Sequence, residues 1–370
     1  MSDSKHLSLM PRRKLLGTAV TLASGTVLPL SGKQEGTVDP DGREERYGTI
    51  TDVRGVRVGH FTDTRRPTGC TVVLFHEAAV AGVDVRGSAP GTRETDLLNP
   101  INTVERVNAI LLSGGSAYGL DAASGVMRYL EEHKIGFRVG AAIVPIVPAA
   151  ILFDLQIGDS RIHPNADSGY AACEAATHEN VAEGNVGAGA GATVGKSFGH
   201  DLAMKSGIGT ASWAVPQTGL VVGAIVAVNS VGDVISHKTG TILAGARNPD
   251  ALGFLNTMEQ WMQGVSNVAR PGAHTTIGVV ATNAMLSKGE ATKVAQMAQD
   301  GLARTICPVH TLFDGDTIFA VATGEHRGPY DVSQVGAIAA EVVAHAINRA
   351  VITATGIPGY PAYRDLVRHR

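Results

Sequence analysis

The stretch SQVGAIAAEVVAHAINRAVITAT, Ser333 to Thr355, constrains the fold more than any other part of the chain. Its spacing predicts one long helix, and Val335, Ile338, Val342 and Val351 spread apolar side chains over most of its circumference. A surface helix carries its apolar residues as a stripe on one side. A helix apolar this far round is instead buried between layers, so the chain needs packed sheets and helices on more than one side of it.

The rest of the chain supplies such layers. Turn residues separate the strand-like runs ITDVRGVRVGHF, CTVVLF and AAVAGVDVRG, and VNAILLSGG continues the sheet. Ser116 to Lys134 has helical spacing, with Leu120, Ala123, Met127 and Leu130 on one face, and residues 164–177 form an Ala-rich helix candidate. A strand pair is expected through GLVVGAIVAVNSVGDVI. Ser287 and Glu290 stand in capping-box spacing before the apolar face Ala291, Val294, Ala298 and Leu302, and DTIFAVAT reads as a strand. Strands and helices are mixed without a regular strand, phosphate loop and helix repeat, which favours a layered α+β body over a dinucleotide fold. The 45 glycines show no collagen-like period and point to tight turns and close backbone approaches.

The N-terminus reads as a processing segment before it reads as structure. Arg12 and Arg13 precede an apolar, small-residue run from Leu15 to Leu30, the pattern of a twin-arginine export signal over residues 1–32, leading to a periplasmic or secreted product. That run is short for a membrane span, so no stable membrane partner is expected. Residues 33–46, KQEGTVDPDGREER, form a polar linker with a Pro-Asp-Gly turn, and folding begins near Tyr47. The basic residues of the signal, four against Asp3, leave the body more acidic than the whole-chain net charge of -3, which argues against a nucleic-acid partner. Three cysteines, Cys70, Cys173 and Cys307, are an odd number without zinc-site spacing, so neither a disulfide framework nor a metal is expected.

Several motifs come close and fail. GAGATVGKS ends like a phosphate loop at Gly195-Lys196-Ser197, but its opening glycine is replaced by Ala190, and no nucleotide cofactor is expected. HEAAV at His76 lacks the second histidine of a zinc-protease helix, which is Val80, and the remaining histidines are scattered singly. GGSAYG and GDSRIH lack the context of a nucleophile elbow. Asp314-Gly315-Asp316, without the further acids of a calcium loop, reads alone as a turn.

GAHTTIGVVATNA, residues 272–284, raises a different chemistry. β-Branched threonines suit the start of a strand. At a chain end, however, a threonine is both nucleophile and base, because its α-amino group, of pKa about 7.7 to 8.0, can take the hydroxyl proton. Cleavage before such a threonine creates that chain end.

The segments GVRVGHFTD, TGCTVVL, AVAGVDVRGSAPGTRETDLL, LSGGSAYGLDAASGVMRYLEE, VPIVPAAILFDL, EGNVGAGAGATVGK, AVNSVGDV, TTIGVVATNA and HTLFDGDTIFAVATG follow in order from about residue 48. Together they resemble the self-processing family of L-aminopeptidase/D-esterases, β-aminopeptidases and nylon-oligomer hydrolases. The resemblance implies a four-layer αββα sandwich of the N-terminal-nucleophile-hydrolase type. It implies one hydrolase domain, 47–370, cut between His274 and Thr275 into chains 47–274 and 275–370, with Thr275 as nucleophile. Lys196 matches a lysine near the nucleophile, Asn229 an asparagine that donates to the oxyanion, and Asp314 and Asp316 a polar pair that orients the nucleophile. The β-aminopeptidase branch carries Ser and Glu at that pair, so two acids stand closer to the nylon-hydrolase branch.

Two positions depart from the family pattern. His274 stands before the cut where Asn is common in the threonine branch, and Phe153 replaces a Tyr whose hydroxyl binds substrate or oxyanion in some members. The expected activity is aminopeptidase action on short peptides, amides or β-peptides by a homo-oligomer of cut protomers, without a cofactor. Endo-hydrolysis of 6-aminohexanoate oligomers, acyl transfer of the ornithine-acetyltransferase kind and an uncut binding protein are the alternatives.

Overall fold

The computed structural model describes residues 47–179, 181–249, 253–265 and 274–367, all within one unit spanning Arg46–Arg370. The expected export signal and linker lie outside the described residues.

One sheet of nine strands organises this unit. They are β1 (Val56–Thr62), β2 (Gly69–Val85), β3 (Thr92–Arg93), β4 (Arg106–Ser113), β5 (Ala149–Ile151), β6 (Ile208–Ala214), β7 (Val221–Asn229), β8 (Thr275–Thr282) and β9 (Thr317–Ala322). Five helices matter to the packing: α1 (Ala122–Glu132), α2 (Ala166–Glu174), α3 (Thr257–Met262), α4 (Lys288–Ala303) and α5 (Val332–Thr353). The spatial order of strands is β6-β7-β8-β9-β2-β4-β5-β3, with β1 also on β2. Most pairs are antiparallel, but β8 runs parallel to β9 and β4 parallel to β5.

Side-chain alternation along the strands turns this sheet into four layers. Ile277, Val279 and Ala281 of β8 face the same core as Ile110 and Leu112 of β4, Val73 and Phe75 of β2, and Ile225 and Ala227 of β7. The two halves of the sheet therefore pack face to face. The intervening residues point outward: Val280, Ala224, Val226 and Val228 pack under α4 and α5, while Val72, Leu74, Ala109 and Leu111 pack under α1 and α2. Strands covered on both faces read as continuous apolar runs, which is what NAILLS and TIGVVAT are. Truncating a residue in the central layer, such as Leu112, costs roughly 2–5 kcal/mol.

The expected αββα sandwich is thus present, and its two sheets are joined through β2. CTVVLF and AAVAGVDVRG form one 17-residue strand rather than two. A register irregularity between Leu74 and Ala79 places His76 and Glu77 at the surface, and a bulge of this kind lets a strand bend and continue. One edge of β2 then pairs first with β1 and further along with β9.

The helix expected over Ser116 to Lys134 opens instead as a 3-10 segment, Ser116–Asp121, before α1. The strand pair expected through GLVVGAIVAVNSVGDVI divides between two sheets. β7 stays in the large sheet, whereas Asp233–Ile235 pairs with Ile242–Ala244 and Ile306–Cys307. The buried Asp233 carboxylate holds that second strand in place by accepting from Ala246 N (2.8 Å) and Thr257 N (2.7 Å).

The capping box at Ser287 and Glu290 forms as expected and starts α4. α5 is buried along much of its length through Val335, Val342, Ala346 and Val351, against α4, β6 and β7. Its contact with β6 explains one of the glycines: a Cβ on Gly209 would lie 2.1 Å from the Ala346 carbonyl oxygen.

Candidate active site

The sheet topology assembles the site at one end of β8. Because β7 runs antiparallel to β8 and β9 runs parallel to it, the last residue of β7 and the entry to β9 both flank the first residue of β8. Asn229 is the register partner of Thr275, and the loop Asp314-Gly315-Asp316 leads directly into β9. Residues far apart in the chain therefore converge on Thr275, which is buried.

The bond before Thr275 is held from both sides. His274 forms a parallel bridge with Asp314, and the Gly315 N–H donates to the His274 carbonyl oxygen at 2.9 Å. The Thr275 hydroxyl donates to that same oxygen. Position 315 has to be glycine: a Cβ there would sit 2.8 Å from Thr275 Oγ1 and 2.6 Å from the Ala89 carbonyl oxygen. The loop is pinned in turn by Arg86 N to the Asp316 oxygen and Ala89 N to the Asp314 oxygen, each at 2.9 Å.

Asn229 and Lys196 form a buried pair beside Thr275. Lys196 Nζ donates to Asn229 Oδ1 (2.7 Å) and to its backbone oxygen (3.1 Å), and Thr193 N donates to Oδ1 as well (3.1 Å). Both partners of Oδ1 are donors, so the orientation of the amide is settled and Nδ2 faces the Phe153 carbonyl at 3.0 Å. The amide nitrogen carries a second hydrogen for another acceptor. Burial pulls the Lys196 ammonium down to about 7, against the opposing pull of the Asp314 and Asp154 carboxylates. A lysine in that range exchanges protons at neutral pH.

The glycine-rich approach to Lys196 points the wrong polar groups at a phosphate. The buried Lys205 Nζ donates to the carbonyl oxygens of Gly189 and Ala192, each at 3.0 Å, and to that of Ser206. A phosphate loop offers N–H groups to an anion; this loop offers oxygens to the Lys205 amine, which burial pulls down to about 7, and so braces the segment that leads to Lys196.

The two acids have partners other than the Thr275 hydroxyl. Asp316 Oδ1 accepts from Thr276 N at 2.7 Å, and its Oδ2 accepts from His310 through Nδ1 (2.9 Å) and N (3.2 Å). Asp314 Oδ2 accepts from Thr311 N (2.9 Å) and Oγ1 (2.6 Å). Asp316 thus orients the start of β8 through the backbone of the second threonine. Burial and the neighbouring Asp316 charge push the Asp314 carboxyl well above the usual carboxylate range. The imidazole of His274 is buried, neither ring nitrogen has a partner among the described residues, and burial with the charge of Lys196 pulls it down to about 2. It is therefore neutral at working pH.

Thr275, Lys196, Asn229, Asp314 and Asp316 are all brought together, and Phe153 joins them through its carbonyl rather than its ring. Sequence reasoning missed Gly315, whose contribution is a backbone N–H, and His310, whose only signal was proximity to the DGD triplet. What the assembly offers chemically is a hydroxyl on a polarised carbonyl, a lysine that can be neutral and an amide donor. Those are the parts of acyl transfer.

The fold has solved counterparts. A β-aminopeptidase of Burkholderia sp. superimposes with a TM-score of 0.64 at 24% identity, covering 88% of this chain and 94% of that one. An L-aminopeptidase D-Ala-esterase/amidase of Ochrobactrum anthropi, described as a variant of the Ntn hydrolase fold, gives 0.62 at 19% identity over 91% and 96%. Fold and sequence relatives define a peptidase or amidohydrolase built on the N-terminal-nucleophile-hydrolase architecture. The model of peptidase family S58 matches residues 48–364, and the chain belongs to that family. An uncharacterized aminopeptidase of Mycobacterium leprae is 44% identical over 349 residues, covering 85% of this chain and 93% of the relative. A 6-aminohexanoate-oligomer endohydrolase of Agromyces sp. is 33% identical over 316 residues, 81% of this chain and 84% of the relative.

Proposed function

We propose that the chain is a self-processing amide hydrolase that cuts itself between His274 and Thr275 and then uses Thr275 as an N-terminal nucleophile. One observation carries this reading: the Thr275 hydroxyl and the Gly315 N–H converge on the carbonyl oxygen of His274. In the cut, Thr275 Oγ1 loses its proton and attacks the His274 carbonyl carbon. Lys196 in its neutral form is the nearby base, and Gly315 N–H stays on the oxygen as it gains charge. The bond from that carbon to Thr275 N breaks as the nitrogen takes a proton, leaving an ester. Water then hydrolyses that ester, releasing the His274 carboxylate and the Thr275 hydroxyl, and leaves Thr275 as a chain end with the amine freed in the preceding step.

The same elements serve substrate. The Thr275 amine takes the hydroxyl proton, the neighbouring Lys196 favours its neutral form, and the spare N–H of Asn229 receives the oxyanion. Aminopeptidase action on short peptides, amides or β-peptides is the leading activity, supported by the aminopeptidase relatives. Endo-hydrolysis of oligoamides is the second reading, favoured by the Agromyces relative and by two acids at positions 314 and 316. The working form is a homo-oligomer of cut protomers, exported through the twin-arginine route; replacing Arg12 and Arg13 by Lys then leaves the protein in the cytoplasmic fraction.

Variants at the nucleophile test the chemistry. Thr275→Ala abolishes both cutting and turnover, while Thr275→Ser retains some of each because a hydroxyl remains. Turnover by purified Thr275→Ala at the wild-type rate overturns the assignment. Activity in acyl transfer to ornithine, with no hydrolysis of peptides or amides, replaces it with the acyltransferase reading.

A further inference from the structure

Two histidines distant in sequence meet one carboxylate on the outer face of α5. Glu341 and His345 lie one helical turn apart and share a face, and His237 follows the short strand Asp233–Ile235. The Nε2 atoms of His237 and His345 are 3.0 Å apart. Glu341 Oε1 stands 3.7 Å from the first and 3.6 Å from the second. A point about 2 Å from all three atoms lies at the centre of this triangle, which is the length of zinc bonds to imidazole nitrogen and carboxylate oxygen, about 2.0–2.2 Å.

The surroundings aim the donors inward. Asn348 Oδ1 accepts from His237 N (3.2 Å) and faces Nδ1 of the same ring (2.8 Å), while Asn348 Nδ2 donates to the Ile235 oxygen at 2.9 Å. The Ile235 oxygen can only accept and the His237 N–H can only donate, so the amide orientation is settled. Nδ1 of His237 must then be the protonated nitrogen, and the lone pair of the neutral ring sits on Nε2, toward the other two donors. Such partners are the usual support of a metal-binding histidine. The other Glu341 oxygen accepts from Arg304 at 2.7 Å, leaving Oε1 for the centre, and the Tyr47 ring stacks on His345. The imidazoles are largely buried while Glu341 is 37% exposed, which gives an ion a way in and water a fourth position.

We propose that His237, Glu341 and His345 form a binding site for one divalent first-row transition ion, with zinc the best fit. Its place in the fold suggests its use. His237 is held by the strand Asp233–Ile235, and the other two ligands belong to α5, so the ion ties the small sheet to the long helix. If the chain is cut before Thr275, as proposed above, the ligands come from both products and the ion clips them together. That consequence rests on the self-cleavage reading; the binding of the ion does not.

The test uses the untagged full chain, treated with EDTA and desalted, and titrated with Co²⁺ as a visible probe and then with Zn²⁺. The account expects one Co²⁺ per chain with visible absorption bands that Zn²⁺ abolishes, and a melting temperature that rises with Zn²⁺. His237→Ala and His345→Ala lose at least tenfold in affinity, and Asn348→Ala loses roughly 10–100-fold. Glu341→Gln, at an exposed side chain, keeps the fold and also binds more weakly. Uncut Thr275→Ala binds Co²⁺ as the wild type does, which separates failure of the processing reading from failure of this one. Absence of the bands, or equal affinity in wild type, the two histidine variants and Glu341→Gln, overturns the site and leaves a histidine pair joined by a hydrogen bond.

Discussion

The N–H of Gly315 lies 2.9 Å from the carbonyl oxygen of His274 and donates to it. That contact links the turn before β9 to the bond before β8, and it exists because the two strands run parallel with their starts side by side. A backbone donor fixed in this way needs no reorganisation when charge develops on the oxygen.

Gly315→Ala is the direct challenge to this arrangement. The added methyl meets Thr275 Oγ1 and the Ala89 oxygen, and Ala89 cannot retreat easily because its own N–H is bonded to the Asp314 oxygen. The expected result is a loss of roughly 1–3 kcal/mol of stability from overpacking and self-cleavage slowed by about 10²-fold or more. Melting temperature and a time course of precursor disappearance on denaturing gels measure the two effects. Cutting at the wild-type rate would remove Gly315 from the mechanism.

Lys196 sets the expected pH dependence. Its ammonium is pulled down to about 7 by burial, so its neutral fraction grows as pH rises through that value. If the neutral amine takes the Thr275 proton, the first-order rate of self-cleavage rises with pH and levels above about 7. Lys196→Arg, always charged, cuts slowly with no such limb. A wild-type rate that falls on going from pH 6 to 8 would exclude Lys196 as the base.

Much of this was legible in the sequence, for identifiable reasons. The apolar side chains around most of the circumference of α5 demanded layers, and local capping chemistry at Ser287 and Glu290 located α4. Thr275, Lys196, Asn229 and the two acids came from ordered motif resemblance, and the fold gathers all five. What stayed hidden depended on contacts between distant segments. The union of two runs into β2 turns on a bulge, the role of Gly315 on a main-chain N–H that no side chain reports, and the meeting of His237 with His345 on the docking of α5.

Asp316→Asn distinguishes orientation from substrate recognition. Both Asp316 oxygens already accept from Thr276 N and from His310, so the carboxylate is occupied within the protein. An amide there turns one acceptor into a donor and forfeits a charge-assisted hydrogen bond, worth roughly 1.5–3 kcal/mol. The expected outcome is a kcat about tenfold lower or worse with little change in KM, equal for free-amine and N-acylated versions of one substrate. A KM that rises for the free-amine substrate alone would instead assign Asp316 to gripping a substrate ammonium.

The intact mass of the purified protein under denaturing conditions, read together with its N-terminal sequence, decides whether Thr275 becomes a chain end. Two chains are expected, the second beginning Thr-Thr-Ile-Gly at Thr275. A single uncut chain that persists through prolonged incubation at neutral pH, and is nonetheless active, would contradict self-cleavage.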